Sequence, residues 1–152
     1  MDKPAHNVSK RELVQSIVRG IRQDIEGYQK LKSLLKRQRE LMQRRDNSGL
    51  KHHNEHQSGL CDSLMQKAGE RRRMLEALGF AGNASGMAAL IAKLPQSSSE
   101  QVSMLWQNLL RLVKESQQVN EANGKLLVAQ QEVISQLLNR GGDNPVDYGE
   151  MR

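Results

Sequence analysis

The residues best able to do chemistry in this 152-residue chain are three histidines, His52, His53 and His56. His52 and His56 are four residues apart and would share one face of a helix, an arrangement compatible with metal binding. A zinc site needs three or four ligands, however, and His6 is remote in sequence while Cys61 lies off that face. We therefore predict no metal and no other cofactor, and we interpret the histidines as solvated polar residues near a helix start.

Other catalytic arrangements also lack support in the sequence. The serines at 97–99 have no histidine nearby, as a nucleophilic triad would require. The glycines at 79, 82 and 86 are not followed by the lysine and serine of a phosphate-binding loop. The single cysteine, Cys61, cannot form an internal disulfide and is expected to be a buried structural thiol. The sequence thus predicts a protein that is not an enzyme.

Composition favours long helices over sheets. Only four residues are aromatic, whereas sheet proteins usually contain more aromatic and β-branched residues. Gln, Leu, Lys, Arg, Glu and Met are abundant, which is typical of helices with wet outer faces. No run approaches the roughly 20 apolar residues of a membrane span, and the charged N-terminus has no apolar signal core. We expect a cytoplasmic, all-α protein that does not insert into membranes.

Charge is distributed unevenly along the chain. Residues 1–80 carry 17 Lys and Arg against 10 Asp and Glu, whereas residues 81–152 carry 6 against 7. A basic half can attract nucleic acid, anionic lipid or an acidic protein, and it can equally be a solvated helix face. The dense basic runs at 36–39 and 71–73 have no interleaved aromatic residues for base stacking. Nucleic-acid binding is therefore not the favoured function.

Apolar periodicity predicts one helical domain over residues 1–140 and a flexible tail over 141–152. Helices are expected at about 9–46, 50–79, 85–94 and 99–139. Ser9 and Glu12 have capping-box spacing at the first helix, as do Ser98 and Gln101 at the last. Gly79 is expected to end the second helix and Ser85 to cap the third. The fold class is an elongated antiparallel helical hairpin or three-helix bundle with coiled-coil packing.

The inward residues of these helices follow steps of four and three. On the second helix they are expected to be Leu60 or Cys61, Leu64, Met65, Ala68, Leu75 and Leu78. On the last helix the inward row turns polar at Ser116, Asn120 and Asn123 and then apolar again. A polar layer fixes register at a cost in stability. It is expected to separate a well-packed helical body from a less tightly packed end over residues 126–138.

The C-terminal half resembles the FlgN family of flagellar type III export chaperones. The resemblance rests on Trp106 in the long helix, the run Asn-Glu-Ala-Asn-Gly-Lys-Leu-Leu at 120–127, and Tyr148-Gly149 in the tail. The run Arg-Arg-Met-Leu-Glu-Ala-Leu-Gly at 72–79 also resembles the family pattern. By motif, the match covers about residues 65–150.

The resemblance implies binding of the C-terminal helices of the hook–filament junction proteins FlgK and FlgL, protection from aggregation, and delivery to the export gate. It implies that Tyr148 and Gly149 dock on the gate protein FlhA. It implies no small-molecule substrate. The predicted client-binding residues lie on the end of the last helix: Asn120, Asn123, Gly124, Leu126, Leu127, Val128, Gln131, Ile134, Leu137 and Leu138.

Three alternatives stay open at this point. The apolar residues at 126–138 can be ordinary core, since helical leucine rows are usually buried. Asn120 and Asn123 can merely set register by hydrogen bonding to a neighbouring helix. The whole chain can instead be a basic coiled-coil adaptor or a helical nucleic-acid-binding protein, whose affinity would fall steeply with salt.

Overall fold

The structure, a computed structural model, describes residues 9–139 and places them in four helices. These are α1 (Lys10–Gln43), α2 (Asn47–Ala77), α3 (Ala84–Lys93) and α4 (Gln96–Asn139). The long helices pack against one another and no strand occurs within residues 9–139, so the predicted all-α class is confirmed. No helix in this range is both long and apolar enough to cross a membrane. The predicted tail, with Tyr148 and Gly149, lies outside the described residues.

The predicted capping box at the start of α1 is confirmed. The Glu12 backbone N–H donates to Ser9 Oγ, and the Ser9 backbone N–H donates to Glu12 Oε1, each at 3.1 Å. Two N–H groups that the helix itself cannot pair are thereby satisfied. At the other end, Arg45 adopts a left-handed backbone with φ 57°. Asp46 then caps α2 by accepting a 2.9 Å hydrogen bond from the Gly49 backbone N–H.

The connection between α2 and α3 depends on two glycines. Gly79 has φ 89° and ends α2 as predicted, with the Phe80 N–H donating to the Leu75 carbonyl at 2.9 Å. Ser85 was expected to cap α3, and this prediction is wrong. Asn83 is the cap, because its Oδ1 accepts from the Gly86 N–H at 2.9 Å. Gly86 is required there, since a Cβ would overlap the Ala81 carbonyl oxygen.

The predicted start of the last helix is three residues late. α4 begins at Gln96, directly after Pro95, and the Ser99 N–H already donates to the Pro95 carbonyl at 2.8 Å. Ser98 therefore lies inside α4 and does not cap it, so the predicted capping box with Gln101 is wrong. The neighbouring Ser99 hydroxyl donates to the Ile91 carbonyl at the end of α3. Proline has no N–H to lose at a helix start, so it favours the earlier boundary.

The chain divides into two units, each containing parts of α1, α2 and α4. The first unit combines the described residues up to Tyr28 with Asp62–Leu112, and it also contains α3. Its buried apolar side chains include Ile17, Ile21, Leu75, Met87 and Leu109. The second unit combines Gln29–Cys61 with the described residues from Val113 onward. Its core cluster consists of Leu41, Met42, Leu50 and Leu127.

Two predictions for the inward face of α2 are wrong, and the burial prediction for Cys61 needs correction. Met65 is 68% exposed and Ala68 is exposed, whereas Leu64 and Leu75 are buried as predicted. The buried row of α2 steps by seven, from Leu50 through Gln57 to Leu64, so Met65 falls outside it. Cys61 is only partly buried.

Candidate functional site

The polar layer predicted on α4 exists in the second unit, but with two members instead of three. Ser116 is 3% exposed and Asn123 is fully buried, whereas Asn120 is exposed, so Asn120 is not an inward residue. The buried row of α4 steps by seven through Ser116 and Asn123. Asn120 belongs to the neighbouring row at the rim, where a polar side chain can reach water.

Asn123 fixes α4 against α1. Its Nδ2 donates to the Leu35 carbonyl at 2.9 Å and to Gln38 Oε1 at 3.0 Å. Gln38 in turn donates from Nε2 to Asn54 Oδ1 on α2 at 2.8 Å. The buried amides therefore link all three helices of the second unit. Such a satisfied network selects one register, because a slip would leave buried polar groups without partners.

The contacts between α1 and α4 in the second unit show that these two segments run parallel. Lys32 pairs with Glu115 at 2.8 Å, and further along Gln130 Nε2 donates to the Met42 carbonyl at 3.0 Å. The sequence separation stays nearly constant, at 83 and 88 residues. α1 ends at Gln43, one residue beyond Met42, whereas α4 continues to Asn139. Nine residues of α4, about 13 Å of helix, thus follow its contact with the end of α1.

The apolar residues just before this last segment belong to the core. Leu127 is 7% exposed and packs in the cluster with Leu41, Met42 and Leu50, and Leu126 packs against the same cluster while partly buried. The packing of α4 therefore stays tight past the polar layer, contrary to the expectation from the sequence. It loosens after Gln130, where α1 has ended.

The last segment of α4 presents apolar side chains to solvent. Val133 is 49% and Leu137 is 62% exposed, and Leu138 is half-buried. Leu126, Val133 and Leu137 are spaced by seven and four residues, so they share one side of the helix. Ile134 lies in α4, but its side chain is outside what the structure describes. Val133 was missed by the sequence analysis, although its spacing from Leu126 could have revealed it.

The remaining predicted residues are spread around the helix. Val128 is 52% exposed, and nine residues of helix place it on the side opposite Leu137. Gln131 is partly buried and has an interaction partner. Gly124 is partly buried, and a Cβ there would meet nothing within 4 Å, so internal packing does not require this glycine. The structure therefore brings only part of the predicted set together on one surface.

Of the three histidines expected to be solvated, His53 is instead partly buried and takes part in packing between helices. His53 Nε2 donates to the Leu34 carbonyl at 2.7 Å, which ties α2 to α1, while His52 and His56 are exposed. Across residues 9–139, no three His, Cys, Asp or Glu side chains come together as possible metal ligands.

Comparison with known proteins gives one match. The family model described as FlgN protein matches residues 13–149, most of the chain. No curated protein and no solved structure matched. The match includes all four helices except the first turn of α1, and it includes the polar layer and the exposed end of α4. The chain belongs to the FlgN family, a family of flagellar export chaperones.

Proposed function

We propose that this protein is a cytoplasmic chaperone for the hook–filament junction proteins FlgK and FlgL. It binds their C-terminal helical segments through the end of α4, prevents their aggregation and delivers them to the export gate. The observation that carries the proposal is the exposure of Val133 and Leu137 beyond the contact of Gln130 with the end of α1, in a chain of this family.

An exposed apolar row at a helix end suits an amphipathic client helix. Such a helix buries residues at spacings of three, four and seven against a partner. Burying one Val or Leu side chain contributes about 1.5–3 kcal/mol. Docking on Val133 and Leu137 therefore supplies part of the free energy of such a complex, and further client contacts must offset the cost of ordering the client.

The structure divides the predicted client-binding residues by accessibility. Leu126 and Leu137 are at least partly accessible on the proposed docking side, together with Val133, whereas the half-buried Leu138 lies about 100° around the helix from Leu137. Asn120, Gly124, Val128 and Gln131 are accessible on other sides of α4, where a client that wraps the helix could reach them. Asn123 and Leu127 are buried, and in our proposal they hold α4 in position for the client.

Leu137→Asp is expected to weaken binding of an isolated C-terminal fragment of FlgK by at least about tenfold, equivalent to 1.4 kcal/mol. The carboxylate would have to be desolvated against the apolar face of the client. Titration calorimetry measures the affinity, and thermal unfolding monitors the fold. Met104→Asp is the matched control, because Met104 is also an apolar residue of α4 and is 74% exposed. It should leave the affinity unchanged.

The same titration separates the rival functions. If Leu137→Asp and Met104→Asp both bind the fragment as the wild type does, the end of α4 is not the client site. If the wild type ignores the fragment but binds an oligonucleotide with steep salt dependence, the chain is a nucleic-acid-binding protein instead.

We assign delivery to the export gate to the C-terminal tail, residues 141–152. Tyr148→Ala is expected to leave the affinity for the FlgK fragment unchanged and to weaken binding to the cytoplasmic domain of FlhA. The tyrosine ring is the largest apolar group of the sequence after residue 140 and combines apolar area with a hydroxyl. Surface plasmon resonance with immobilised FlhA domain measures the effect, with Val146→Ala as control. Equal gate binding by wild type and Tyr148→Ala would remove this assignment.

A further inference from the structure

A groove of about 550 Å³ runs between α1 and α2 in the first unit. The lining residues of its two walls recur at the same sequence intervals. The lining residues of α1 include 13, 16, 17, 20 and 23, and those of α2 include 67, 70, 71, 74 and 77, with Arg19 and Arg73 beside these two rows. Residues at these intervals form one straight ridge along a helix. Two ridges, one on each helix, therefore bound the groove, and each is about ten residues, or 15 Å, long.

The surface of the groove combines apolar and basic groups. Leu13, Met74 and Ala77 provide apolar surface, and Arg19, Lys67 and Arg73 provide positive charge. Arg19 and Arg73 are exposed, and neither has a carboxylate partner within residues 9–139.

The other polar groups of the groove neutralise only part of this positive charge. Arg71 is already paired with the buried Asp24 at 2.7 Å, and Lys67 Nζ donates to the neutral Gln23 Oε1 at 2.6 Å. Glu70 is the acidic residue of the lining. The groove keeps a net positive charge after these interactions are counted.

Gly20 lies in the middle of the α1 wall. A glycine inside a helix costs about 1 kcal/mol relative to alanine, and at Gly27 and Gly86 the surrounding packing gives a reason for that cost. A Cβ at Gly27 would approach Leu64 Cδ2 to 2.8 Å, and one at Gly86 would overlap the Ala81 carbonyl oxygen. A Cβ at Gly20 would meet nothing within 4 Å. The space above Gly20 is therefore open to an external group.

We propose that this groove is a second docking site, which accepts one helix of an acidic, amphipathic protein segment. The apolar side of that helix packs between the two ridges and over Gly20, and its Asp and Glu side chains reach Arg19, Lys67 and Arg73. A helix that lies along a straight apolar groove with complementary charge at its edges is a common mode of peptide recognition. The site is independent of the client segment of α4, whose residues belong to the second unit.

A nucleic acid is the weaker occupant for this surface. The lining contains no aromatic residue on which a base could stack, and a substantial part of it is apolar. A phosphate backbone would gain nothing from Leu13, Met74 and Ala77, whereas the apolar side of an amphipathic helix would bury them.

The test uses the full-length protein and a displayed library of 18-residue helical peptides with randomised surface positions. Selection for wild-type binding is followed by counter-selection against Gly20→Leu, whose Cβ enters the open space above the α1 wall. We expect the enriched peptides to be acidic and to carry apolar residues at spacings of three and four. An enriched peptide should bind Gly20→Leu, and separately Arg19→Glu/Arg73→Glu, at least about tenfold more weakly than wild type.

Gly59→Leu is the matched control. Gly59 is also a helix-interior glycine with nothing within 4 Å of its Cβ, but it lies in the second unit. This variant should bind the enriched peptide as the wild type does, and thermal unfolding should show all variants folded. The proposal is overturned if no enriched peptide depends on Gly20, or if those that do are not acidic. It is also overturned if a 20-nucleotide oligothymidine binds with the same dependence on Gly20.

Discussion

Arg71→Met is expected to destabilise the protein by about 3–5 kcal/mol, because it leaves the Asp24 carboxylate buried without its counter-ion. The Asp24 side chain is 2% exposed, and Arg71 Nη1 donates to its Oδ2 at 2.7 Å. The other carboxylate oxygen, Oδ1, has no hydrogen-bond partner among the described residues. Arg71 also lies over the Trp106 ring at 5.4 Å, and this cation–π contact would be lost as well. Urea denaturation at neutral pH measures the change.

Two further variants isolate the cause of the effect. Arg73→Met removes a neighbouring exposed arginine and should change the free energy of unfolding by no more than about 0.5 kcal/mol. Asp24→Leu/Arg71→Met removes both charges and should recover most of the stability, since buried ion pairs are often replaceable by apolar residues. If Arg71→Met is as stable as Arg73→Met, the ion pair does not support the first unit.

The helix ends could be predicted from sequence where the signal is local. Ser9 and Glu12 form the expected capping box, and Gly79 ends α2 with a positive φ. Each of these signals involves residues within one turn. The predicted caps failed at Ser85 and Ser98, where a neighbouring residue competes. Asn83 is the stronger cap for α3, and Pro95 permits an earlier start for α4.

The buried polar residues of α1 could not be predicted from composition. Asp24 and Gln38 are 1% and 0% exposed, and they lie seven residues after Ile17 and Leu31 in a single buried row. Their spacing was visible in the sequence, but a charged or amide side chain at such a position is usually assigned to solvent. What allows their burial is a partner distant in sequence: Arg71 for Asp24, and Asn54 and Asn123 for Gln38.

The candidate site on α4 likewise could be predicted only in part, because its exposure depends on residues distant in sequence. The periodicity of α4 predicts apolar residues both before and after the polar layer, and sequence spacing alone cannot say which of them are covered. Coverage depends on where α1 ends relative to α4, and this is fixed by tertiary contacts such as that of Gln130 with Met42. Hence Leu127 and Leu137 belong to one predicted surface, yet one is buried and the other exposed.

Leu127→Ala is therefore expected to lower the free energy of unfolding by about 2–5 kcal/mol, the usual cost of a cavity at a buried leucine. Leu127 is 7% exposed among Leu41, Met42 and Leu50, and these neighbours lie on helices whose backbones cannot easily move into the space. Leu137→Ala, at a side chain 62% exposed, should change stability by no more than about 0.5 kcal/mol. Urea denaturation of the two variants measures both values.

At temperatures where both variants are folded, Leu137→Ala should weaken binding of the FlgK fragment more than Leu127→Ala does. Leu137→Ala removes apolar area that we assign to the client and should weaken the complex, whereas Leu127→Ala leaves the exposed surface unchanged. If Leu127→Ala proves as stable as the wild type, the cluster around Met42 does not anchor α4, and its last segment must be positioned in some other way. If instead both variants lose stability equally, Leu137 is part of the core and the client surface lies elsewhere on the chain.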